Sequence, residues 1–360
     1  MPRTDKRIPV TLLTGFLGAG KTTMLNQILA SGGGAQIAVV VNEFGEAGLD
    51  HDLIEAVDEE VVLMRSGCLC CSIRGDLSRT LQDLRARRKS RRISFDRVVI
   101  ETTGLADPGP ILQTFLTDPF LAGKFRVDGV VTVADAANGP DTLNQQFEAV
   151  SQVAMADLLV LSKTDLVSKH DRATFESRLR SLNPTARILT AKRGVVQTAS
   201  LWGLSGMRQA GTPEQIVPWV TPAAAVDPLA NLSGIAPEKS RLSAPPVHTH
   251  DARIGSASIV LDRPIPPKDF DLWLDTLIQL RGADILRVKG IVHLEGIATP
   301  FVFHGVQHLF DPPIPLRNWP GGDRQSRIVV IARDMTKPEL NRSLDMLRAS
   351  QSERLHASSL

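Results

Sequence analysis

The sequence has few cysteines and no long apolar run. All three cysteines stand within four positions, at Cys68, Cys70 and Cys71, so none has a distant partner for a disulfide framework. The first residues are polar and lead directly into a predicted strand, and no apolar h-region follows a basic n-region, so we expect no secretory signal. No apolar run is long enough to cross a bilayer. We therefore expect a cytoplasmic protein that does not enter a membrane.

Length and charge narrow the classes of protein further. The 360 residues predict about two domains, and a hydrophobic share of 42% is enough for a sizeable core. The net charge of +2 gives no reason to expect a polyanionic partner. Residues 85–92 hold six basic side chains, but no aromatic residue lies between them. We therefore favour a solvated helix end over a nucleic-acid contact for this run.

The most informative stretch is residues 15–22, which read GFLGAGKT and match the phosphate-loop pattern G-x-x-x-x-G-K-S/T. A strand is predicted directly before it, over residues 8–14, and a helix after it, over residues 22–29. The glycines let several backbone N–H groups point at one phosphate. Lys21 would reach the β- and γ-phosphates, and the Thr22 hydroxyl would ligate Mg²⁺. This stretch predicts a nucleotide-binding site.

A nucleotide hydrolase also needs a group near the γ-phosphate. Glu101 ends an apolar strand over residues 97–100, and Gly104 follows three residues later. A carboxylate there can hold Mg²⁺ through water or orient the attacking water, and a glycine N–H can bond the γ-phosphate. We predict Lys21 and Glu101 as catalytic residues, and Thr22 and Glu101 as the Mg²⁺ site. The alternative is a strand-ending turn that is acidic by chance.

Residues 162–165, Ser-Lys-Thr-Asp, predict which base is bound, because they directly follow an apolar strand over residues 157–161. Asp165 can accept hydrogen bonds from guanine N1–H and N2–H₂, which adenine lacks, and the stem of Lys163 can lie along the base. G proteins carry Asn where this chain has Ser162, so one base contact is weakened. Residues 190–192, Thr-Ala-Lys, resemble the last base-contacting loop of G proteins. The full set predicted to contact the nucleotide is Gly15, Gly18, Ala19, Gly20, Lys21, Thr22, Thr23, Gly104, Lys163 and Asp165.

The distribution of apolar runs predicts the fold. Apolar strands at 37–41, 97–100, 128–133 and 157–161 alternate with helical segments at 141–156 and 172–182, which is typical of a parallel sheet covered on both faces. We assign residues 1–210 to a doubly wound P-loop α/β domain with ligands at the carboxyl ends of its strands. Residues 211–251 predict a linker with an ordered patch around Trp219, residues 252–349 a smaller α+β domain, and residues 350–360 a tail.

The cysteine cluster, Gly-Cys-Leu-Cys-Cys at 67–71, suggests a metal site. Three adjacent thiolates suit a soft tetrahedral cation such as Zn²⁺, and the open fourth position favours a transfer site over a closed structural one. The alternatives are three small buried residues, or a redox role, for which the thioredoxin-like context is missing. His248 and His250 could bind metal weakly or could simply belong to a polar linker end, and the sequence leaves both open.

Taken together, these motifs make the chain similar to CobW-type GTPases, which belong to the metallochaperone P-loop GTPases. The stretches that carry the resemblance are 15–23, 42–50, 67–71, 100–108, 162–165, 286–290 and 326–331. The resemblance implies slow GTP hydrolysis coupled to handling of a transition metal at Cys68, Cys70 and Cys71. It also places Glu43 and Asp50 in a switch region that responds to the nucleotide. Many relatives have a His-rich stretch before the second domain, of which only His248 and His250 remain here.

We therefore predict a Mg²⁺-dependent GTPase that binds Zn²⁺ and delivers it to a client metalloprotein. One alternative is delivery of Co²⁺ to a cobalamin-synthesis or nitrile-hydratase-type client. Another is a nucleotide switch whose metal site is structural, and a third is a nucleic-acid-associated NTPase that uses residues 85–92. The sequence identifies GTP and GDP as ligands, leaves a homodimer open, and does not name the client.

Overall fold

The computed structural model describes residues 5–31, 36–44, 61–66, 72–207, 213–222, 254–316, 319 and 324–357. Two β-sheets organise this part of the chain, one in each half of the sequence. No helix in these ranges is long and apolar enough to cross a membrane.

The first sheet has seven strands in the order β3-β2-β4-β1-β5-β6-β7, and every neighbouring pair is parallel. Its strands are β1 Ile8–Thr14, β2 Ile37–Phe44, β3 Val61–Ser66, β4 Arg97–Thr102, β5 Phe125–Asp135, β6 Leu158–Ser162 and β7 Arg187–Thr190. Because all strands are parallel, their carboxyl ends meet at one edge of the sheet. The predicted doubly wound P-loop fold is confirmed, and β3 is a strand that the sequence did not reveal.

Helices cover both faces of this sheet, since alternate residues of each strand point to opposite sides. In β6, Leu158 and Val160 pack on the face covered by α1, whereas Leu159 and Leu161 pack on the face covered by α2, α3, α6 and α7. The helices are α1 Lys21–Ala30, α2 Ser72–Lys89, α3 Gly109–Thr117, α4 Pro119–Lys124, α5 Gly139–Gln145, α6 Phe147–Ala154 and α7 Lys169–Leu182. The single helix predicted over 141–156 is wrong, because Gln146 has an extended backbone, with φ −118° and ψ 114°, that separates α5 from α6.

The second sheet is antiparallel and has the order β11-β10-β9-β13-β8, with β12 paired to β10. Its strands are β8 Ile254–Leu261, β9 Ile285–Val292, β10 Phe301–Val306, β11 Leu309–Phe310, β12 Ile314–Pro315 and β13 Ser326–Arg333. Helices α9 Pro267–Arg281 and α10 Lys337–Ala357 pack on one face, and a short helix α8, Pro213–Val220, precedes the sheet. This α+β unit confirms the predicted second fold. Helix α10 continues into the residues predicted as a tail, because no Gly or Pro interrupts residues 349–357.

The other face of the second sheet packs against the first domain. Leu286, Val329 and Ile331 belong to the same buried cluster as the residues of α3 and α6. The two halves of the chain therefore share a hydrophobic core. The two edges of the first sheet differ in what lies beside them. Its carboxyl edge carries the predicted nucleotide site, whereas its amino edge meets the second domain.

Candidate nucleotide-binding site

The phosphate loop joins β1 to α1 in the backbone conformation that its glycines allow. Gly20 immediately precedes α1 and has φ 98° and ψ 25°, a left-handed conformation that a side chain would strain. Helix α1 begins at Lys21, so the backbone N–H groups of its first turn point out of the loop. Lys21 itself is buried and donates from Nζ to the Phe16 carbonyl oxygen at 3.2 Å. The backbone N–H groups of the loop and the Lys21 ammonium group are therefore arranged as an anion-binding site would require.

The two predicted Mg²⁺ ligands lie side by side. The Thr22 hydroxyl donates to Glu101 Oε1 at 2.9 Å, although the two residues are 79 positions apart. They meet because β1 and β4 are neighbours and both end at the same edge of the sheet. Glu101 is buried beneath the loop. A hydroxyl and a carboxylate oxygen at this separation fit a small hard cation, which takes oxygen ligands.

The segment after β4 lies directly against the phosphate loop. A Cβ on Gly104 would stand only 2.5 Å from the Leu17 backbone nitrogen, so the chain can pass here only as glycine. The buried Gln152 of α6 holds this segment in place, because its Nε2 donates to the carbonyl oxygens of Gly104 and Ala106, each at 3.0 Å. The sequence analysis missed Gln152. Its signal was a glutamine within the otherwise apolar face of a predicted helix.

The base-recognition segment is tied to the phosphate loop by the residue that departs from the G-protein pattern. Ser162 donates from its hydroxyl to the Ala19 carbonyl oxygen at 2.7 Å. Lys163 has a left-handed backbone, with φ 52°, and its ammonium group pairs with Asp135 at 2.7 Å. Asp165 is exposed in a 3₁₀ turn beyond these residues. Ser162 therefore anchors the phosphate loop, and Asp165 stays accessible to a base.

Asp135 is a second residue that the sequence analysis missed. Burial alone would raise the pKa of Asp135, but hydrogen bonds from Lys163 and Asn138 hold it below its ordinary value. An ionised Asp135 fixes the ammonium end of Lys163, so the stem of that lysine has a defined position beside the site.

The last predicted loop reaches the same edge of the sheet. Ala191 is buried after β7, and Lys192 pairs through its backbone with Val195. A Cβ on Gly194 would lie 3.0 Å from the Thr23 methyl group, so this loop packs against the start of α1. A cavity of about 200 Å³ opens between the phosphate loop and α6, lined by Phe16, Leu17, Gln152 and Lys163 among others.

Several predicted residues lie outside the described residues. These are Asp50, Cys68, Cys70, Cys71, His248 and His250. Glu43 lies on β2, which ends at the nucleotide edge. Within the ranges that the structure covers, no group of three His, Cys, Asp or Glu residues could hold a metal ion. In the basic run, Arg88 stacks on the Phe95 ring and donates to the Phe95 carbonyl oxygen at 2.6 Å, so at least this residue has a structural role.

Comparison with known sequences identifies both halves of the chain. The nucleotide-binding domain described as CobW/HypB/UreG matches residues 9–190, and the cobalamin synthesis protein cobW C-terminal domain matches residues 254–348. The chain belongs to the CobW/HypB/UreG family. Within it, the chain is 32% identical over 345 residues to the zinc chaperone YjiA of Escherichia coli, covering 95% of this chain and 99% of that protein.

Other relatives of the family agree with this assignment. The zinc chaperone CobW of Pseudomonas aeruginosa is 29% identical and is covered over 92% of its length, against 95% of this chain. The zinc-regulated GTPase metalloprotein activator 1 of Schizosaccharomyces pombe is 40% identical over 194 residues, 52% of this chain and 46% of that protein. The crystal structure of Zn(II)-bound YjiA GTPase from E. coli superimposes with a TM-score of 0.71 at 28% identity, covering 95% of this chain and 99% of that one. The whole two-domain arrangement is therefore shared.

Proposed function

We propose that the protein is a Mg²⁺-dependent GTPase that binds Zn²⁺ at its cysteine cluster and delivers it to a client metalloprotein. The observation that carries the enzymatic part is the contact between Thr22 and Glu101 at the mouth of the phosphate loop. It joins a hydroxyl and a buried carboxylate beside the buried Lys21, which is the set of groups that phosphoryl transfer requires. The relatives named as GTPases support the same reaction.

Each nucleotide contact has a separate role in this proposal. The backbone N–H groups of the loop and Lys21 hold the β- and γ-phosphates and offset the charge that develops during transfer. Mg²⁺, when held by Thr22 and Glu101, supplies further neutralisation of the phosphate oxygens. Glu101 also orients the attacking water, and the Gly104 N–H bonds the γ-phosphate. Asp165 selects guanine over adenine, because only guanine offers it two N–H donors.

The metal part of the proposal rests on the sequence and on the relatives named as zinc chaperones. Cys68, Cys70 and Cys71 stand between the end of β3 at Ser66 and the start of α2 at Ser72. Because β3 is parallel to β1 and lies three strands away, its carboxyl end is on the nucleotide edge, about 14 Å across the sheet from the phosphate loop. We infer that GTP tightens Zn²⁺ binding by ordering the region of Glu43 and Asp50, and that hydrolysis loosens it.

The enzymatic part is tested by measuring hydrolysis of GTP and ATP at fixed Mg²⁺. We expect GTP to be strongly preferred and Glu101→Ala to slow turnover more than it weakens GDP binding. Equal affinity for GTP and ATP, or normal turnover in Glu101→Ala, would contradict the assignment.

The metal part is tested by titrating Zn²⁺ against a competing chelator, in the presence of GDP or of a non-hydrolysable GTP analogue. We expect Zn²⁺ to bind more tightly with the analogue than with GDP. Zn²⁺ should in turn increase the preference for the analogue over GDP by the same factor when the nucleotide is titrated. The matched control is the triple variant with serine at positions 68, 70 and 71, which should lose Zn²⁺ and keep GTP hydrolysis. Full Zn²⁺ retention in that variant would contradict the proposed site.

A further inference from the structure

A buried ionic cluster joins the two domains at the amino end of β6. Asp157 Oδ1 accepts hydrogen bonds from Arg287 Nη2 at 2.7 Å and from Lys289 Nζ at 2.9 Å, both on β9 of the second sheet. The same oxygen accepts Trp219 Nε1 from α8 at 2.8 Å, and Asp157 Oδ2 accepts the Val130 backbone N–H at 3.0 Å. Asp157, Arg287 and Lys289 are each almost fully buried. Asp157 thus joins the second domain to the first through three hydrogen bonds to one carboxylate oxygen.

Arg287 also holds the end of a helix. Its Nη1 contacts the carbonyl oxygen of Met155, the residue that caps the C-terminus of α6. A cation at this position satisfies an unpaired carbonyl group and favours the negative end of the helix dipole. Asn183, which caps the C-terminus of α7, also binds this end of α6. Its Nδ2 donates to the carbonyl oxygens of Val153, Ala154 and Ala156. The C-terminus of α6 is therefore one of the places at which the second domain contacts the first.

The opposite contact of α6 is with the nucleotide site. Gln152 lies three residues before Met155, and its amide holds the carbonyl oxygens of Gly104 and Ala106. These residues belong to the segment that packs on the phosphate loop and carries the predicted γ-phosphate contact. One turn of one helix therefore separates the contact with the second domain from the contact with the γ-phosphate segment.

We propose that α6 couples the nucleotide to the docking of the second domain, with Gln152 as the positioning residue at one end and Arg287 as the docking residue at the other. A γ-phosphate that draws the Gly104 segment inward shifts the hydrogen bonds of Gln152. The helix follows, and its C-terminal carbonyl group moves relative to Arg287. If GTP and GDP favour the docking of the second domain to different degrees, linkage requires that docking changes the relative affinity of the site for GTP and GDP by the same factor. This inference rests on the proposed nucleotide site.

The surroundings of α6 leave space for such a movement. Its eight residues are bounded by the extended Gln146 at one end and by the Met155 cap at the other, so it can shift as a unit. The cavity of about 200 Å³ beside the phosphate loop is lined partly by Gln152 and Val153 of α6. A second cavity of about 520 Å³ lies between the domains, and Asp157 and Arg287 form part of its wall. A close-packed interface without such spaces would resist a shift.

The test is a double-mutant cycle on the ratio of dissociation constants for GDP and a non-hydrolysable GTP analogue, measured with the full chain and Mg²⁺. A uniform loss of stability cancels in this ratio, so it reports coupling. We expect Gln152→Ala and Arg287→Lys each to change the ratio by about five-fold or more, the lower end of typical allosteric coupling. Once Gln152→Ala is present, Arg287→Lys should have no further effect. The matched control is Arg333→Ala, since Arg333 pairs with Asp284 inside the second domain and should leave the ratio unchanged.

A second measurement keeps the inference testable if Arg287→Lys does not fold. Trp219 reports docking directly, because it packs with residues of the second sheet and its Nε1 donates to Asp157 of the first domain at 2.8 Å. In a variant with Phe at positions 202, 273 and 319, we expect the fluorescence of Trp219 to differ between the GDP and GTP-analogue states, and to lose this difference in Gln152→Ala. Unchanged ratios, additive effects, or identical fluorescence in the two states would overturn the coupling. A protein that binds neither nucleotide would instead contradict the proposed site itself.

Discussion

Two aspartates stand at the two ends of β6 and have opposite surroundings. Asp157 immediately precedes the strand and is buried among Arg287, Lys289 and Trp219. Asp165 follows the strand by three residues, is exposed, and makes no ion pair with any residue in the described part of the chain. The strand between them has five residues, all buried. Its two ends therefore face the interface between the domains and the predicted nucleotide site.

The comparison shows how an aspartate can either stabilise a domain interface or remain available to a ligand. Burial alone would raise the pKa of Asp157, but the charges of Arg287 and Lys289 hold it well below its ordinary value. A carboxylate satisfied in this way by protein groups has no capacity left for a ligand, and it orders the domains instead. Asp165 keeps its oxygen atoms free for donors that the protein does not supply. Accessibility of the acceptors, more than the residue type, separates the predicted recognition residue from the structural one.

The largest expected effect comes from removing the buried charge. Asp157→Asn leaves Arg287 and Lys289 without a counter-charge, and breaking a buried ion pair in this way costs about 3–5 kcal/mol. Urea unfolding of the full chain measures this loss. The matched control is Asp165→Asn, the same change at the exposed end of β6, which should alter stability by less than about 0.5 kcal/mol. Equal losses in the two variants would show that burial does not distinguish these aspartates.

The next effect concerns catalysis at the carboxyl edge. Lys21→Ala removes the cation inside the phosphate loop, and loss of one such charge-stabilising group lowers kcat by about 100-fold or more. Lys124→Ala, an exposed lysine at the end of α4, is the control and should keep full turnover. Steady-state GTP hydrolysis measures both variants. The catalytic role would be refuted if Lys21→Ala hydrolysed GTP within roughly two-fold of the rate of the unaltered protein.

The third effect tests the recognition role of Asp165. Asp165→Asn exchanges two acceptor oxygens for one acceptor and one donor, so guanine loses at least one charge-assisted hydrogen bond. At about 1.5–3 kcal/mol for each such bond, GTP affinity should fall about ten- to a hundred-fold, and xanthine nucleotides should bind better than before. Asp141→Asn in the first turn of α5 is the control. Unchanged GTP affinity in Asp165→Asn would remove Asp165 from the base site.

Much of the fold and part of the site follow from local sequence patterns. The phosphate loop combines a glycine pattern with a flanking strand and helix, and all three are short-range features. The position of Glu101 followed from its place at the end of an apolar strand, and its contact with Thr22 then follows from parallel neighbouring strands. The strand β3, Val-Val-Leu-Met-Arg-Ser, was missed although its first four residues form a continuous apolar run.

The remaining features depend on contacts between distant parts of the chain. Gln152 meets Gly104 across 48 positions, and Arg287 meets Asp157 across 130. Nothing in a local pattern pairs such residues, so a polar side chain on an apolar helix face or strand indicates only that some partner exists. The Gly-flanked run Arg-Val-Lys of β9 gave this kind of signal, since two cations on a fully buried strand require a buried carboxylate.

The last effect is a pH dependence of stability that we expect at the buried end of β6. Burial, and then the neighbouring Arg287, lower the pKa of Lys289 from 10.5 to about 7, against the opposing attraction of Asp157. Between about pH 7 and 10.5 the folded protein has therefore released a proton that the unfolded chain still holds. Stability should rise with pH across this window, by at most about 1.4 kcal/mol per pH unit.

Lys289→Met isolates this dependence, because it keeps the length of the side chain and removes the titrating group. His304 also faces the cluster from β10, opposite Lys289, but burial lowers its pKa below 6.5, so it titrates outside this window. Asp157 stays ionised throughout the window, because its pKa lies well below its ordinary value. Urea unfolding of both proteins at pH 7, 8 and 9 should therefore show a positive slope in the unaltered protein and a flatter one in Lys289→Met. A slope of the same size in the two proteins would mean that Lys289 does not titrate between pH 7 and 9. The two ends of β6 would then differ in burial alone.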